Sequence, residues 1–350
     1  MRLKPALIVT MLLTASVASN RTICMAEDAH QLVMLGRQLN RDDVAALEKE
    51  LQEKPDDIES RTKLLGYYFI NERNDAAAKT AKQRHILWLI KNAPEAEVLG
   101  LPYSYVHKII NPEGYDQARQ SWLHVIEKSP ENLSILQNAS RFFLVQDPQI
   151  AEKLLLKGKS LDAKNPHWSV SLGQLYSLQL RQHPTEPEQT AIAEKAFQQY
   201  EQAYNLSDEE GKDALLSYLA KTAFAAHRME DAKKYARQML GNQTPGWNLG
   251  NRIHNGHLVL GRIALAAGDI DEAKSQLILA GKTCGSPQLD SFGPNMLLAK
   301  ELLERGETAV VLEYFELCKT FWKSPHQELD RWIDDVKSNR IPQFGGNLAY

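Results

Sequence analysis

From about residue 28 onward, apolar side chains recur three and four positions apart almost without interruption, and no stretch sustains the alternation of a half-buried strand. A buried face repeats with the period of the backbone that carries it, so this chain is committed to helices. Breaks fall at Pro55, Pro94, Pro112, Pro130, Pro166 and Pro245, between periodic segments of three to four turns. Short helices joined by short breaks predict antiparallel hairpins. A chain of 350 residues exceeds what one hydrophobic core usually supports, so the hairpins must form several domains or an elongated array.

The spacing of small residues narrows the choice. In the stretch 257–281, with Leu260 and Gly261 taken as positions seven and eight, Ala264 is eleven, Gly268 fifteen, Ala273 twenty, Leu277 twenty-four and Ala280 twenty-seven. Leu298, Ala299, Leu302, Gly306, Val311, Phe315 and Cys318 fill those positions downstream. Leu219, Ala220, Ala223, Ala232, Ala236 and Met239 fill six of them upstream, with Arg228 at the turn. Degenerate copies come earlier. Leu172, Gly173 and Tyr176 precede Ala196, Tyr200 and Ala203, separated by an inserted loop of about eleven residues at 181–191. Ala139, Phe142, Ala151, Leu155 and Gly158 form another copy. Ala118, Trp122 and Val125 form a second helix whose first helix, through Val106 and Ile109, is interrupted at Asn111-Pro112. Leu65, Gly66, Phe69 and Ala78 form the earliest copy, where Lys82 and His85 stand at positions expected to be apolar.

This pattern resembles the tetratricopeptide repeat (TPR), whose small residues let two helices approach closely; it departs at His257, where that family often has Trp. The resemblance implies an all-α fold: an α-solenoid of about seven TPR-like helix-turn-helix repeats over residues 57–338, with N- and C-terminal capping helices. Residues 27–56 read as an N-terminal helical cap or half-repeat. The stretch from Pro325 reads as a terminal helix that turns Arg331, Asp334, Asp335 and Lys337 outward, and 339–350 as a tail anchored by Ile341, Phe344 and Tyr350. Gly and Ala then sit where helices touch, and a larger residue at Gly261 would overpack the joint.

The N-terminus differs in kind. Arg2 and Lys4 lead into an apolar run too short to span a bilayer comfortably, which reads as a secretory signal within residues 1–26, cleaved after Ala18 or after Ala26; an uncleaved anchor is the alternative. The expected location is outside the cytoplasm: periplasmic, envelope-associated or secreted. No later segment approaches a transmembrane span. A formal net charge of −3 gives no bulk attraction to nucleic acid. Cys284 and Cys318 are expected as buried free thiols, with a single bridge between them as the alternative, and no cysteine spacing suits a metal.

No nucleotide, zinc-protease or hydrolase motif occurs, so the expectation is a protein that is not an enzyme and needs no cofactor. His254 and His257, three apart, could share a helix face as metal ligands, but the local sequence supplies no third or fourth ligand. The scattered tryptophans read as repeat core. By the resemblance, the concave groove is lined by first-helix positions two, five, nine, twelve and thirteen. Position nine is Lys221, Arg262 and Lys300 in the last three units, with Phe224, Leu258, Leu265, Met296 and Leu303 as apolar neighbours. A basic stripe of this kind implies a protein or peptide partner of acidic character and a non-catalytic interaction or assembly scaffold. A helical-array enzyme or glycan-binding protein of the cell envelope, using a cleft near Trp168, His254 and His257, is the alternative. A third option folds the tail around Phe344 and Tyr350 back into the groove.

Overall fold

The computed structural model describes residues 22–180, 185–323 and 326–348. Among them are 17 α-helices and no strand, as the periodicity requires. They fall into two compact units, one formed mainly by residues up to Leu178, the other by Gln179–Tyr204 and Asp208 onward. The leader at 1–21 lies outside the described residues, while Thr22–Ala26 already belong to the first helix. No described helix is long and apolar enough to cross a membrane.

The first unit contains α1 (Thr22–Gly36), α2 (Arg41–Glu53), α3 (Ile58–Asn71), α4 (Ala76–Asn92), α5 (Pro112–Lys128), α6 (Leu133–Phe143), α7 (Pro148–Leu161) and α8 (Pro166–Leu180). Asn and Asp side chains start most of them: Asn40, Asp57, Asp75, Asn111 and Asn132 each accept hydrogen bonds from first-turn amides that would otherwise be orphaned. Between α4 and α5 the chain makes two 3-10 turns, Glu97–Gly100 and Pro102–Ser104, where an interrupted helix was expected. Pro94, Pro102 and Pro112 divide this stretch into pieces shorter than ten residues. Val106 is buried there, whereas Ile109 is 86% exposed.

Helices approach closely where glycine permits it. A Cβ on Gly158 of α7 would lie 2.4 Å from the Trp168 ring of α8. One on Gly36 of α1 would lie 1.8 Å from the Lys63 carbonyl oxygen, and one on Gly66 of α3 would lie 2.2 Å from that of Val33. Ala118, Ala139 and Ala151 are fully buried, as their register positions require.

The second unit contains α9 (Glu186–Leu206), α10 (Glu209–Ala225), α11 (Met229–Gly241), α12 (Leu249–Ala266), α13 (Ile270–Gly281), α14 (Pro287–Phe292), α15 (Leu297–Leu303), α16 (Thr308–Cys318) and α17 (His326–Lys337). The inserted segment expected as a loop at 181–191 is only partly one. Residues 181–184 lie outside the described residues, and from Glu186 the chain is already helical. α10 pairs with α11, α12 with α13 and α15 with α16. Ala220, Ala232 and Ala236, then Ala273 and Ala280, then Ala299, Val311 and Cys318 are fully buried in these joints.

The three first helices also end alike. Arg228 N–H reaches back to the Ala223 carbonyl (2.8 Å), Asp269 to Ala264 (2.9 Å) and Glu307 to Leu302 (3.0 Å). In each case the residue before the donor is left-handed: His227 at φ 57°, Gly268 at 83° and Gly306 at 84°. Glycine adopts that conformation freely, while His227 adopts it against the steric preference of an L side chain.

α17 buries Leu329, Trp332, Ile333 and Val336 and exposes Arg331, Asp334 and Lys337. Asp335 departs from the expected outward face: it is half-buried and accepts a hydrogen bond from Arg340 (2.7 Å). The tail then folds back. Phe344 is buried with its ring 5.0 Å from Trp332 and 6.2 Å from Phe315, and Asn347 donates to the carbonyls of Phe292 (3.1 Å) and Pro294 (2.9 Å). Met296 N–H closes the contact on the Asn347 carbonyl (2.8 Å). Ile341 stays largely exposed, and Tyr350 lies outside the described residues.

Candidate binding surface

α12 lies against both α10 and α15, so successive first helices stand side by side. Arg262 of α12 spans them. Its guanidinium sits 4.4 Å from the centre of the Phe224 ring on α10, and it grips Glu301 on α15 with Nε–H at 2.9 and 3.0 Å and Nη2–H at 2.6 Å. This is the bidentate arrangement a guanidinium makes best. Lys300 pairs with Glu304 one turn along its own helix (3.0 Å), and Lys221 is half-buried on α10.

Two rungs of the expected cationic ladder therefore carry their own carboxylates. An acidic ligand at Arg262 would have to displace Glu301. The apolar neighbours also differ from expectation. Leu258, Leu265 and Leu303 are buried and Met296 is 0% exposed, all within one core cluster. Close approach of consecutive first helices seals the shared flanks, and the tail bonded to Met296 closes over the start of α15. What remains at the surface is Lys221, Phe224, the Arg262–Glu301 pair and Lys300–Glu304, a mixed-charge face around one aromatic ring.

His254 and His257 are not poised as metal ligands. His254 is buried; its Nδ1–H donates to the Ala280 carbonyl (3.1 Å), while Nε2 accepts the Asn295 N–H (3.2 Å), so both ring nitrogens are used. His257 donates from Nδ1 to Gln276 Oε1 (2.7 Å). Among the described residues no group of three or more His, Cys, Asp or Glu could hold a metal ion.

Burial pushes the His254 pKa down to about 4, with the Ala280 hydrogen bond opposing. Because the folded value is depressed, stability is fully present above the ordinary histidine value near 6.5 and drains away as pH falls through it. Between pH 7 and 5 His254 is expected to remove about 2 kcal/mol. Urea unfolding at the two pH values checks this: His254→Gln should start less stable at pH 7 and lose less on acidification.

Trp122, Trp168, Trp322 and Trp332 are buried, as expected of core. Trp168 and His254 thus offer no face to a sugar or substrate. Trp88 is half-buried, and Trp247 departs furthest, 66% exposed on the loop before α12, which Asp213 anchors by accepting from Asn242 (2.7 Å), Asn248 (3.2 Å) and Arg252 (2.8 Å). Cys284 and Cys318 are both free: Cys318 is buried as expected, but Cys284 is exposed, because it sits in the loop after α13.

Sequence reasoning missed one polar cluster, in the first unit. Glu48 of α2 accepts from Tyr68 Oη (2.7 Å), from Arg84 Nη2 (2.7 and 2.8 Å to its two oxygens) and from His85 Nε2 (2.9 Å). Arg61 donates to His85 Nδ1 (3.1 Å) and to the Pro55 carbonyl, and lies 3.7 Å over the Trp88 ring. An arginine on Nδ1 leaves the imidazole proton on Nε2, facing the carboxylate. Burial alone would raise the Glu48 carboxyl, but the hydrogen bonds from His85 and Tyr68 and the charge of Arg84 hold it down at about 2. Lys82 is buried beside this cluster, bonded to Glu72 (2.7 Å) and the Tyr105 carbonyl (3.2 Å). The signal was present in the sequence as two residues, Lys82 and His85, that break the apolar pattern.

No protein-family model and no curated protein matches this chain. Any functional reading rests on its own residues.

Proposed function

We propose that this chain is a non-catalytic interaction or assembly scaffold, an α-solenoid of TPR-like hairpins with capping helices at both ends. It acts outside the cytoplasm and engages a protein or peptide partner on the face of α10, α12 and α15. The observation that carries this reading is repetition. Three successive first helices end in the same 6→1 hydrogen bond at a left-handed residue, and their hairpins close on small side chains in one register. A repeated hairpin buries its core against its neighbours and leaves one side of each unit for recognition. The signal-like leader supports the location.

On that face Phe224 supplies an aromatic contact, while Lys221 and Lys300 flank the Arg262–Glu301 pair. Aromatic and charged groups so mixed favour a polar, partly basic or neutral segment as readily as an acidic one. The test is capture of partners from an envelope extract by wild type and by the triple variant Lys221→Glu, Phe224→Ala, Lys300→Glu. Arg262 is left intact because it ties three helices together. Loss of at least about tenfold in retained partner supports the reading, since interface anchors of this type typically carry over 1 kcal/mol each. Full retention refutes the surface. Glu301→Gln separates the chemistries: release of Arg262 tightens capture of an acidic partner and leaves any other unchanged or weaker.

A further inference from the structure

The tail is held to the second unit at few points. Arg340 N–H closes the end of α17 on the Asp335 carbonyl (2.9 Å), and of residues 341–348 only Pro342, Phe344 and Asn347 are buried. Gly345 and Gly346 stand exposed, and a Cβ on either would meet nothing within 4 Å. Among the described residues, every hydrogen bond between 341–348 and the rest of the unit is made by Asn347. Its side-chain N–H groups donate to the Phe292 and Pro294 carbonyls (3.1 and 2.9 Å), and its own carbonyl accepts from Met296 N–H (2.8 Å). Three residues earlier, Phe344 fills an aromatic pocket between Trp332 and Phe315.

The loop that receives Asn347 takes its shape from other contacts. Between α14 and α15, Gly293 is left-handed at φ 80°, its N–H bonds the Leu289 carbonyl (2.9 Å), and a Cβ there would lie 2.5 Å from Trp322 Cε2. Asn295 N–H donates to His254 Nε2 (3.2 Å), its main-chain carbonyl accepts from Tyr314 Oη (3.2 Å), and its Oδ1 accepts from Leu297 N–H (2.9 Å). None of these groups belongs to the tail. The loop therefore turns two carbonyls and one N–H toward a single residue as a preorganised set. A carboxamide answers it: the Asn nitrogen carries two hydrogens, whereas Asp would set an oxygen against two carbonyls and Leu would leave both unpaired.

We propose that this loop and the aromatic pocket form a peptide-recognition site, with the tail as its resident occupant. The ligand class is a segment of a partner protein that carries an aromatic residue followed three positions later by Asn, the chemistry of Phe344 and Asn347. The tail competes in cis at an effective concentration on the order of millimolar, so a partner segment enters when the rest of that partner also engages the face of α10, α12 and α15. The inference rests on the scaffold reading for the source of that segment. It adds what the segment must contain and why Met296 is covered when no partner is bound.

The experiment follows the fluorescence anisotropy of a labelled peptide of residues 339–348 as the full chain is added, as wild type, as Asn347→Asp and as the double variant Phe344→Ala, Asn347→Asp. Saturable binding to the folded variants is expected, with binding at least about tenfold weaker to wild type, whose site is filled. A peptide that itself carries Asn347→Asp is expected not to bind. No saturable binding to either folded variant overturns the proposal, as does equal binding of the two peptides or equal binding to wild type and variants. Failure of both variants to fold overturns it too, because the tail would then be a fixed part of the core. The peptide reads the site alone. Capture of partners by the Lys221, Phe224 and Lys300 variant tests the scaffold reading separately, so either can fail without the other.

Discussion

Gly36→Ala and Gly66→Ala are each expected to cost about 3 kcal/mol or more, the upper end of what overpacking does. At most tight positions in this chain an added methyl meets a side chain first. Here it meets backbone. The Cβ of residue 36 would stand 1.8 Å from the Lys63 carbonyl oxygen and that of residue 66 would stand 2.2 Å from the Val33 oxygen, so α1 and α3 cross with their main chains nearly touching. Neither carbonyl can move without breaking its own helix. The methyl therefore pushes α1 off α3 and takes Val33, fully buried at that crossing, out of its contact. Denaturant unfolding gives the size of the loss, and limited proteolysis near residues 37–40 locates it. A loss under 1 kcal/mol for both variants would mean that the helices do not cross there.

Glu48→Gln is expected to cost about 2 kcal/mol. The figure lies below the 3–5 kcal/mol typical of breaking a buried pair, because the Glu48 side chain is 25% exposed. The amide keeps the shape but cannot accept from Tyr68, Arg84 and His85 together. One Gln nitrogen would also point donors at donors. Arg61 and Arg84 then stand near each other with no anion between them. The substitution should also change the response to acid. Glu48 is a carboxyl depressed from its ordinary 4.5 to about 2, so its contribution is present above pH 4.5 and is lost as pH falls toward 2. His85 is depressed too, by burial first, with the Glu48 hydrogen bond and charge opposing. Its contribution likewise disappears as pH drops below the ordinary histidine range. Wild type is thus expected to lose stability in steps on acidification, and Glu48→Gln to lack the lower one. Equal slopes below pH 4.5, measured by urea unfolding, would contradict this role for Glu48.

What the sequence made legible is what a single helix encodes. The seams at Ala220, Ala273, Ala280 and Ala299 and the turns at Gly268 and Gly306 depend on a residue's own size or backbone freedom, and each is where the register places it. His227 takes the same left-handed turn although nothing in a histidine announces it. Partners across the chain were not legible. Glu48 and His85 are 37 residues apart and Arg262 and Glu301 are 39 apart, and periodicity says which face is buried without saying which charge waits opposite. Met296 shows the same limit: its position reads as groove-facing, yet a tail some fifty residues later in the chain bonds its amide and closes over it. Before α5 the first helix read from Val106 and Ile109 does not form, and the chain makes two 3-10 turns in a stretch punctuated by three prolines.

The central claim, that small side chains set how these helices meet, is tested most directly by comparing Gly261→Leu with Gly241→Leu in the same denaturation experiment. A Cβ on Gly261 would stand 2.4 Å from Leu298 Cδ2 on α15, 3.1 Å from Gln276 Cβ on α13 and 3.4 Å from the Ala273 carbonyl oxygen, a joint of three helices. At Gly241, the last residue of α11, nothing lies within 4 Å. The expected result is a loss of about 1–3 kcal/mol at 261 and a change within about 0.5 kcal/mol at 241. Equal stability of the two variants would contradict the claim.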